Sequence, residues 1–411
     1  MPGAGISRAT MTDRPPLRIL DITRLVARAD GGPLTGIDRV ERAYLKGLIA
    51  AHAPFYLASR AALGWLLIDG ADARKVLGWI DNVASLPTPG LAGRILSGPR
   101  RTPALEAALR EIAVARLRPG ALPGWLKRRA EGKGSWISVG HMNLADRTLR
   151  NARKAGLQTA VMLHDAIPLD HPNWSATGAT ERFAAALEGA ASQADVIFCP
   201  SQSAARRLAL HMQPEGKVLV APLGVECAEA DAALIPASFR PEHASFVCLG
   251  TIEPRKNIGL LLNVWTQLQA HLPAASVPHL HLVGRRGWGS DALLGHLARS
   301  SLHGRYIFQH TGLPDAAVAA MLVKSRALLA PSRAEGFGFP PAEAAAMGVP
   351  VIATDLSVTQ EVIGHYATYL PPDDPQAWVE AILPLSAPGN RRAPLALPDW
   401  TEHFNLVFNH I

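Results

Sequence analysis

Six short apolar runs recur between residues 245 and 372: SFVCLG (245–250), HLHLVG (279–284), RYIFQH (305–310), ALLAPS (327–332), PVIAT (350–354) and ATYLPP (367–372). Helical patterns lie between them. Short β-branched runs alternating with amphipathic helices wind into a parallel sheet covered on both faces. In NIGLLLNVWTQLQAHL, residues Ile258, Leu261, Leu262, Trp265 and Leu268 repeat on one helical face, and Asn257 stands where an N-cap belongs. The run before it, that helix and the run after it make one βαβ unit.

The first half keeps the rhythm with more interruptions: RILDIT (18–23), TAVMLH (159–164), DVIFCP (195–200) and KVLVAP (217–222). A helix is expected from Gly36, with Thr35 capping it, Asp38 at its third position, and Ile37, Val40, Tyr44 and Leu48 as its buried stripe. The Pro- and Gly-rich stretch 57–134 reads as insertions. Strand signals lapse over 223–244, where a linker is expected. A chain of 411 residues exceeds one compact core. The division is therefore read as a Rossmann-like domain over 1–230, a second over 240–390, and a helix in 391–411 crossing back to the first.

Composition narrows the classes. With 48% apolar and 18% charged residues the chain has the material for two cores. No apolar run reaches the roughly 18 residues of a membrane span, and the first twenty residues lack the apolar centre of a secretion signal, so a cytoplasmic protein is expected. Cys199, Cys227 and Cys248 show no C-x-x-C pairing and suggest neither a disulfide framework nor zinc. Between Arg94 and Lys133 ten basic residues meet three acidic ones, an excess equal to the whole net charge of +7. The segment 94–133 suits an anionic membrane face; a solvated helical face is the plainer alternative. Nucleic acid is not expected as a partner, since no helix-turn-helix, zinc-finger or single-strand motif accompanies the charge.

Two segments carry chemistry. GTIEPRKN (250–257) follows a strand and precedes a helix, at the sheet edge where open α/β folds bind ligands. Arg255 and Lys256 at a helix start oppose the macrodipole, a conflict that an anion between them removes. In PSRAEGFGFPPAEAAAMGVPVIAT (331–354), Glu335 precedes a glycine turn, and Glu343 follows eight positions later in the first turn of a helix opened by Pro340 and Pro341 and closed by Gly348. Gly336 and Gly338 let backbone amides approach a ligand, and a carboxylate can accept from two vicinal hydroxyls.

These residues resemble the E-x7-E signature of retaining glycosyltransferase family 4. The likeness covers residues 245–385 through GTIEPRKN, GRRGWGSDALL and GVPVIATDLSVTQEVIG; TGIDRVERAYLKGL and LHDAIPLDHP carry it more faintly in the first half. The resemblance implies a GT-B fold, two Rossmann-like domains with parallel sheets facing a central cleft. It also implies transfer of a hexose from a nucleotide-diphosphate sugar, GDP-mannose favoured, to a glycan or lipid-linked saccharide. Closest in pattern are bacterial mannosyltransferases of surface-polysaccharide pathways. By the same resemblance Arg255 and Lys256 grip the diphosphate, Glu343 the ribose, and Glu335 with the amides of Gly336, Phe337 and Gly338 the transferred sugar. Gly36 contacts the phosphates from the other domain, and His164 sits beside the reacting carbon. No D-x-D triplet occurs, so charge stabilisation by Arg255 and Lys256 is expected, with no metal and no other cofactor. The rival readings are a non-catalytic sugar-nucleotide scaffold of the same fold and a nicotinamide dehydrogenase; G-x-G-x-x-G follows neither RILDITRLV nor FVCLGTIEP.

Overall fold

The computed structural model describes residues 16–28, 34–82, 85–87, 104–130, 133–144, 147–240 and 242–411. Most of the stretch 94–133 is among them; residues 94–103 and 131–132 lie outside.

The first sheet orders its strands β4-β3-β2-β1-β5-β6-β7-β8. They are β1 (Leu17–Asp21), β2 (Phe55–Ala61), β3 (Gly64–Asp69), β4 (Ala115–Leu117), β5 (Gly134–Ser138), β6 (Gln158–Met162), β7 (Val196–Cys199) and β8 (Lys217–Val220). From β2 through β1 to β8 every pairing is parallel, whereas β2 with β3 and β3 with β4 are antiparallel. The stretch 57–134 thus supplies most of β2 and all of β3 and β4 in the same sheet. Its helices α3 (Ala73–Asp81), α4 (Ala104–Ile112) and α5 (Leu122–Ala130) bury apolar faces, α5 through Leu122, Trp125 and Leu126 while Lys127, Arg128 and Arg129 stay exposed.

Ahead of these come α1 (Thr23–Arg28) and α2 (Gly36–Ala50). Thr35 and Asp38 form the expected capping box on α2: Asp38 Oδ2 accepts from the Thr35 N–H at 2.8 Å. The buried stripe differs by one residue. Ile37 is only half-buried, because the first turn of α2 opens onto the interdomain cleft, while Asp38 and Glu41 are fully buried. After β5 follow α6 (Thr148–Lys154), α7 (Ile167–Asp170), α8 (Ala179–Gln193) and α9 (Gln202–Leu208).

The second sheet orders β11-β10-β9-β12-β13-β14, all parallel. Its strands β9 (Ser245–Leu249), β10 (His279–Val283), β11 (Ile307–His310), β12 (Ala327–Ala330), β13 (Val351–Thr354) and β14 (Ala367–Leu370) fall within the six apolar runs. Helices α10 (Ile258–His271), α11 (Asp291–Arg299), α12 (Asp315–Lys324), α13 (Phe339–Ala346), α14 (Ser357–Ile363) and α15 (Pro375–Leu385) cover it. Asn257 does not cap α10. It takes a left-handed conformation, φ 51°, and its side-chain amide donates to the Pro372 carbonyl at 2.9 Å, tying the loop to the chain after β14.

Side chains alternate across each sheet. Leu20 and Val247 face one core that runs through both domains, while Ile19 and Phe246 face the outer cores of their own sheets. The last helix, α16 (Trp400–Phe408), packs on α2. His403 Nδ1 faces the Pro222 carbonyl at 2.8 Å and must donate to it, which leaves Nε2 to accept from the Tyr44 hydroxyl at 2.9 Å. Phe404 meets Tyr44 edge-on at 5.2 Å between centroids.

Gly47 makes room for that helix: a Cβ there would stand 2.5 Å from the Phe404 ring. Alanine gains roughly 1 kcal/mol of helix propensity, but overpacking costs roughly 1–3 kcal/mol. Gly47→Ala is expected to lower stability by about 1 kcal/mol in urea unfolding, with recovery on adding Phe404→Leu; unchanged stability would show that the ring moves freely.

Candidate active site

Both sheets reverse their winding at one place. In the second, the chain leaves β9 towards β10 on one side and later returns to β12 on the other, so the loops after β9 and β12 diverge from a common crevice. The first sheet has its switch point between β1 and β5. The two crevices face each other across a cavity of about 630 Å³, lined by Arg24, Gly36, His164, Arg255, Lys256 and Glu335 among others.

The loop after β9 makes one tight turn, Pro254–Lys256, before α10 begins. The loop after β12 carries Glu335. Glu335 Oε1 takes Lys256 Nζ at 2.5 Å, and Oε2 takes Arg255 Nη1 at 3.0 Å. Arg255 Nε also pairs with Glu253 Oε1 at 2.6 Å. A backbone bond from the Arg333 N–H to the Arg255 carbonyl, 2.8 Å, locks the two loops together. Burial by itself would raise the Glu335 carboxyl; the charges of Lys256 and Arg255 overcome it and hold the group down at about 2. The anion expected between the two cations is, in this state, the protein's own carboxylate.

Across the cavity, Glu343 receives the guanidinium of Arg39 from α2, Nη1 to Oε1 2.5 Å. Burial dominates its titration and raises it, with Arg39 pulling the other way. Arg39 also lies over the Phe339 ring, 5.5 Å from its centroid. Glu343 stands in the second turn of α13, not the first, because the helix already starts at Phe339 after Gly338 in a left-handed conformation, φ 88°.

His164 follows β6 on the first-domain wall. Its Nε2 meets the Val139 carbonyl at 2.7 Å, which fixes the proton on Nε2 and leaves Nδ1 bare. Its backbone N–H donates to His141 Nε2 at 3.0 Å. Burial lowers the imidazole to about 4, so the ring is neutral at pH 7. The neighbouring Asp165 is raised by burial. Gly336 presses against this pair: a Cβ on it would lie 2.6 Å from the His164 carbonyl oxygen, so the domains approach here only with glycine. At the rim, Glu361 of α14 accepts from the Gln202 and Ser203 N–H groups at the start of α9, 2.5 and 2.9 Å.

Residues 243–387 match the family model described as glycosyl transferases group 1. This part of the chain is similar to that family. The chain is 29% identical over 248 residues to the serotype-specific mannosyltransferase WbdA of Escherichia coli, covering 56% of this chain and 30% of that protein. It is 36% identical over 131 residues to the O-antigen chain mannosyltransferase B of Escherichia coli, 31% of this chain and 33% of the relative. The chain thus spans about a third of the curated relatives it matches. Among solved structures, Anabaena HepE in complex with UDP and glucose superposes with a TM-score of 0.60 at 14% identity, over 96% of this chain and 95% of that one. The architecture is GT-B, two Rossmann-like domains facing a cleft.

The second domain brings Arg255, Lys256, Glu335, Gly336, Phe337, Gly338 and Glu343 to one wall of the cavity, and the first domain sets Gly36 and His164 on the other. A Cβ on Gly36 would touch the Phe339 ring at 3.5 Å, so the start of α2 abuts α13. Sequence reasoning missed Arg39. Its signal was the three-residue spacing from Gly36, which puts both on one face of α2.

The charge balance around Glu335 has a measurable consequence. A carboxyl held below its free value stabilises the fold above that value, about 4.5, and the contribution fades as pH falls towards about 2. Glu335→Gln leaves Lys256 uncompensated in a buried site and Arg255 with Glu253 alone, at a cost of roughly 3 kcal/mol. The stability gap between wild type and Glu335→Gln in urea is therefore expected to be largest at neutral pH and to close between those two values; a gap independent of pH would contradict the ion-pair account.

Proposed function

We propose that this protein is a retaining, metal-independent hexosyltransferase that takes its sugar from GDP-mannose and places it on a glycan or lipid-linked saccharide. One observation carries the reading: two cations at the switch point, Arg255 and Lys256, both held by the Glu335 carboxylate, which a diphosphate can relieve. The preference for mannose rests on the likeness to WbdA and to the O-antigen chain mannosyltransferase B, both mannosyltransferases.

The residues divide the work as follows. The diphosphate settles on Arg255, Lys256 and the amides at the start of α2 near Gly36, gaining charge-assisted hydrogen bonds of roughly 1.5–3 kcal/mol each. Glu335, no longer needed as their counter-ion, turns to the hexose hydroxyls beside the amides of Gly336 to Gly338. Glu343 exchanges Arg39 for the ribose diol. As the bond from the anomeric carbon to the phosphate oxygen breaks, negative charge grows on the leaving diphosphate, where the two cations stabilise it without a divalent ion. The acceptor hydroxyl enters on the face the diphosphate leaves, its proton passing to the departing phosphate, and the anomeric configuration is kept. Neutral His164 packs beside the reacting carbon and presents an acceptor nitrogen to a sugar hydroxyl.

Among the described residues no helix is long and apolar enough to cross a membrane. We place the protein in the cytoplasm, resting on the inner membrane face through the basic surface that includes Arg116, Arg118, Lys127, Arg128 and Arg129, all exposed.

The test is turnover of GDP-mannose, UDP-glucose and ADP-glucose in EDTA, read as nucleoside diphosphate release, with the product anomer assigned by NMR. Release from GDP-mannose with retained configuration is expected, falling about 10²- to 10³-fold in Lys256→Ala. Binding without turnover of any donor would favour the non-catalytic scaffold; activity only with added divalent metal would overturn the cation-pair mechanism.

A further inference from the structure

A second cluster of cations faces the cavity away from Glu335. Arg24 and Arg28 project from α1 in the first domain, and Arg285 from the loop after β10 in the second; Arg24 and Arg285 both line the cavity. Their charge balance differs from that of the first pair. Arg255 and Lys256 are matched by Glu335 and Glu253. Among Arg24, Arg28 and Arg285 the close ionised partner is Asp38, whose Oδ1 takes Arg24 Nε at 2.6 Å and whose Oδ2 meets Arg28 Nε at 3.1 Å. Asp38 is already engaged by the Thr35 N–H and hydroxyl at 2.8 and 2.6 Å. Glu41, close behind, is fully buried, and desolvation chiefly raises its carboxyl well above the usual range.

Among the described residues Asp38 pairs with Arg24 and Arg28, while Arg285 feels Asp38 and Glu253 only at longer range. Arg28 Nη2 and Arg285 Nε are buried and have no hydrogen-bond partner among the described residues. Buried polar groups are normally satisfied, and unmatched guanidinium donors on Arg285, which lines the cavity, and on Arg28 close by point to a ligand that satisfies them. Burial, and next the charge of Arg28, press Arg285 below the ordinary arginine value, against the opposing pull of Asp38 and Glu253.

We propose that Arg24, Arg28 and Arg285 form a second anion subsite that binds a phosphate group of the acceptor, separate from the diphosphate site at Arg255 and Lys256. A phosphate monoester carries roughly −1.5 to −2 and three acceptor oxygens that can accept from guanidinium groups arriving from two domains; a carboxylate offers one charge and a planar pair of oxygens. The guanidiniums come from both domains, so the bound phosphate bridges them and draws the cleft closed over the donor. The assignment of this phosphate to the acceptor rests on the proposed transferase reading; the existence of the subsite does not.

Calorimetry with inorganic phosphate, in a phosphate-free buffer, on the free protein and on protein saturated with GDP, separates the sources. Phosphate is expected to bind in both cases and to weaken about ten- to a hundredfold in Arg285→Gln and in Arg28→Gln, the loss of one charge-assisted hydrogen bond each. Lys256→Ala is expected to weaken GDP and to leave phosphate nearly unchanged. Phosphate binding that GDP abolishes, or that Lys256→Ala removes while Arg285→Gln does not, would assign these arginines to the donor and overturn the proposal. So would a lack of phosphate binding at millimolar concentration. If GDP fails to bind while the phosphate results come out as expected, the donor reading falls and the subsite stands.

Discussion

One carboxylate, that of Glu335, holds the cleft in the form described. It spans the loops after β9 and β12, adjacent strands whose connections leave in opposite directions, and it neutralises the two cations that the first loop places at the crevice. Without it Lys256 is a buried ammonium with nothing to balance it. Because a carboxylate and a phosphate offer similar oxygens to the same donors, the proposed donor's diphosphate can take over the contact that Glu335 makes here. The site is thus kept assembled before its ligand arrives.

The domains meet in two chemically different ways. The C-terminal helix α16 seats aromatic rings and His403 on α2, a permanent apolar joint. At the cleft the contacts are polar and exchangeable: Arg39 with Glu343, and Glu361 with the amides at the start of α9. Gly336 brings backbone against backbone, beside His164 and Asp165. A structure built this way keeps its domains attached while leaving the ligand-facing contacts free to trade protein partners for substrate ones.

Much of this was legible in the sequence, and the exceptions share a cause. The second-domain strands were readable because strands buried on both faces are continuous apolar runs. The antiparallel edge β2 to β4 was not, since the Pro- and Gly-rich stretch around it hides strands as short as Ala115–Leu117. Glu335 and Glu343 stood out by their spacing around a glycine turn, yet that spacing was silent on their partners. Whether a carboxylate meets Lys256, Arg39 or a sugar is decided by the approach of loops 80 or 300 residues apart. Asn257 shows the same limit: a good capping residue locally, it is drawn into a left-handed turn by the Pro372 carbonyl 115 residues away.

The most direct measurement is a crystal structure of the protein with GDP bound. The account places the diphosphate between Lys256, Arg255 and the start of α2, with the Lys256–Glu335 contact opened and Arg39 released from Glu343 to admit the ribose. GDP found elsewhere, or bound with both ion pairs intact, would contradict it.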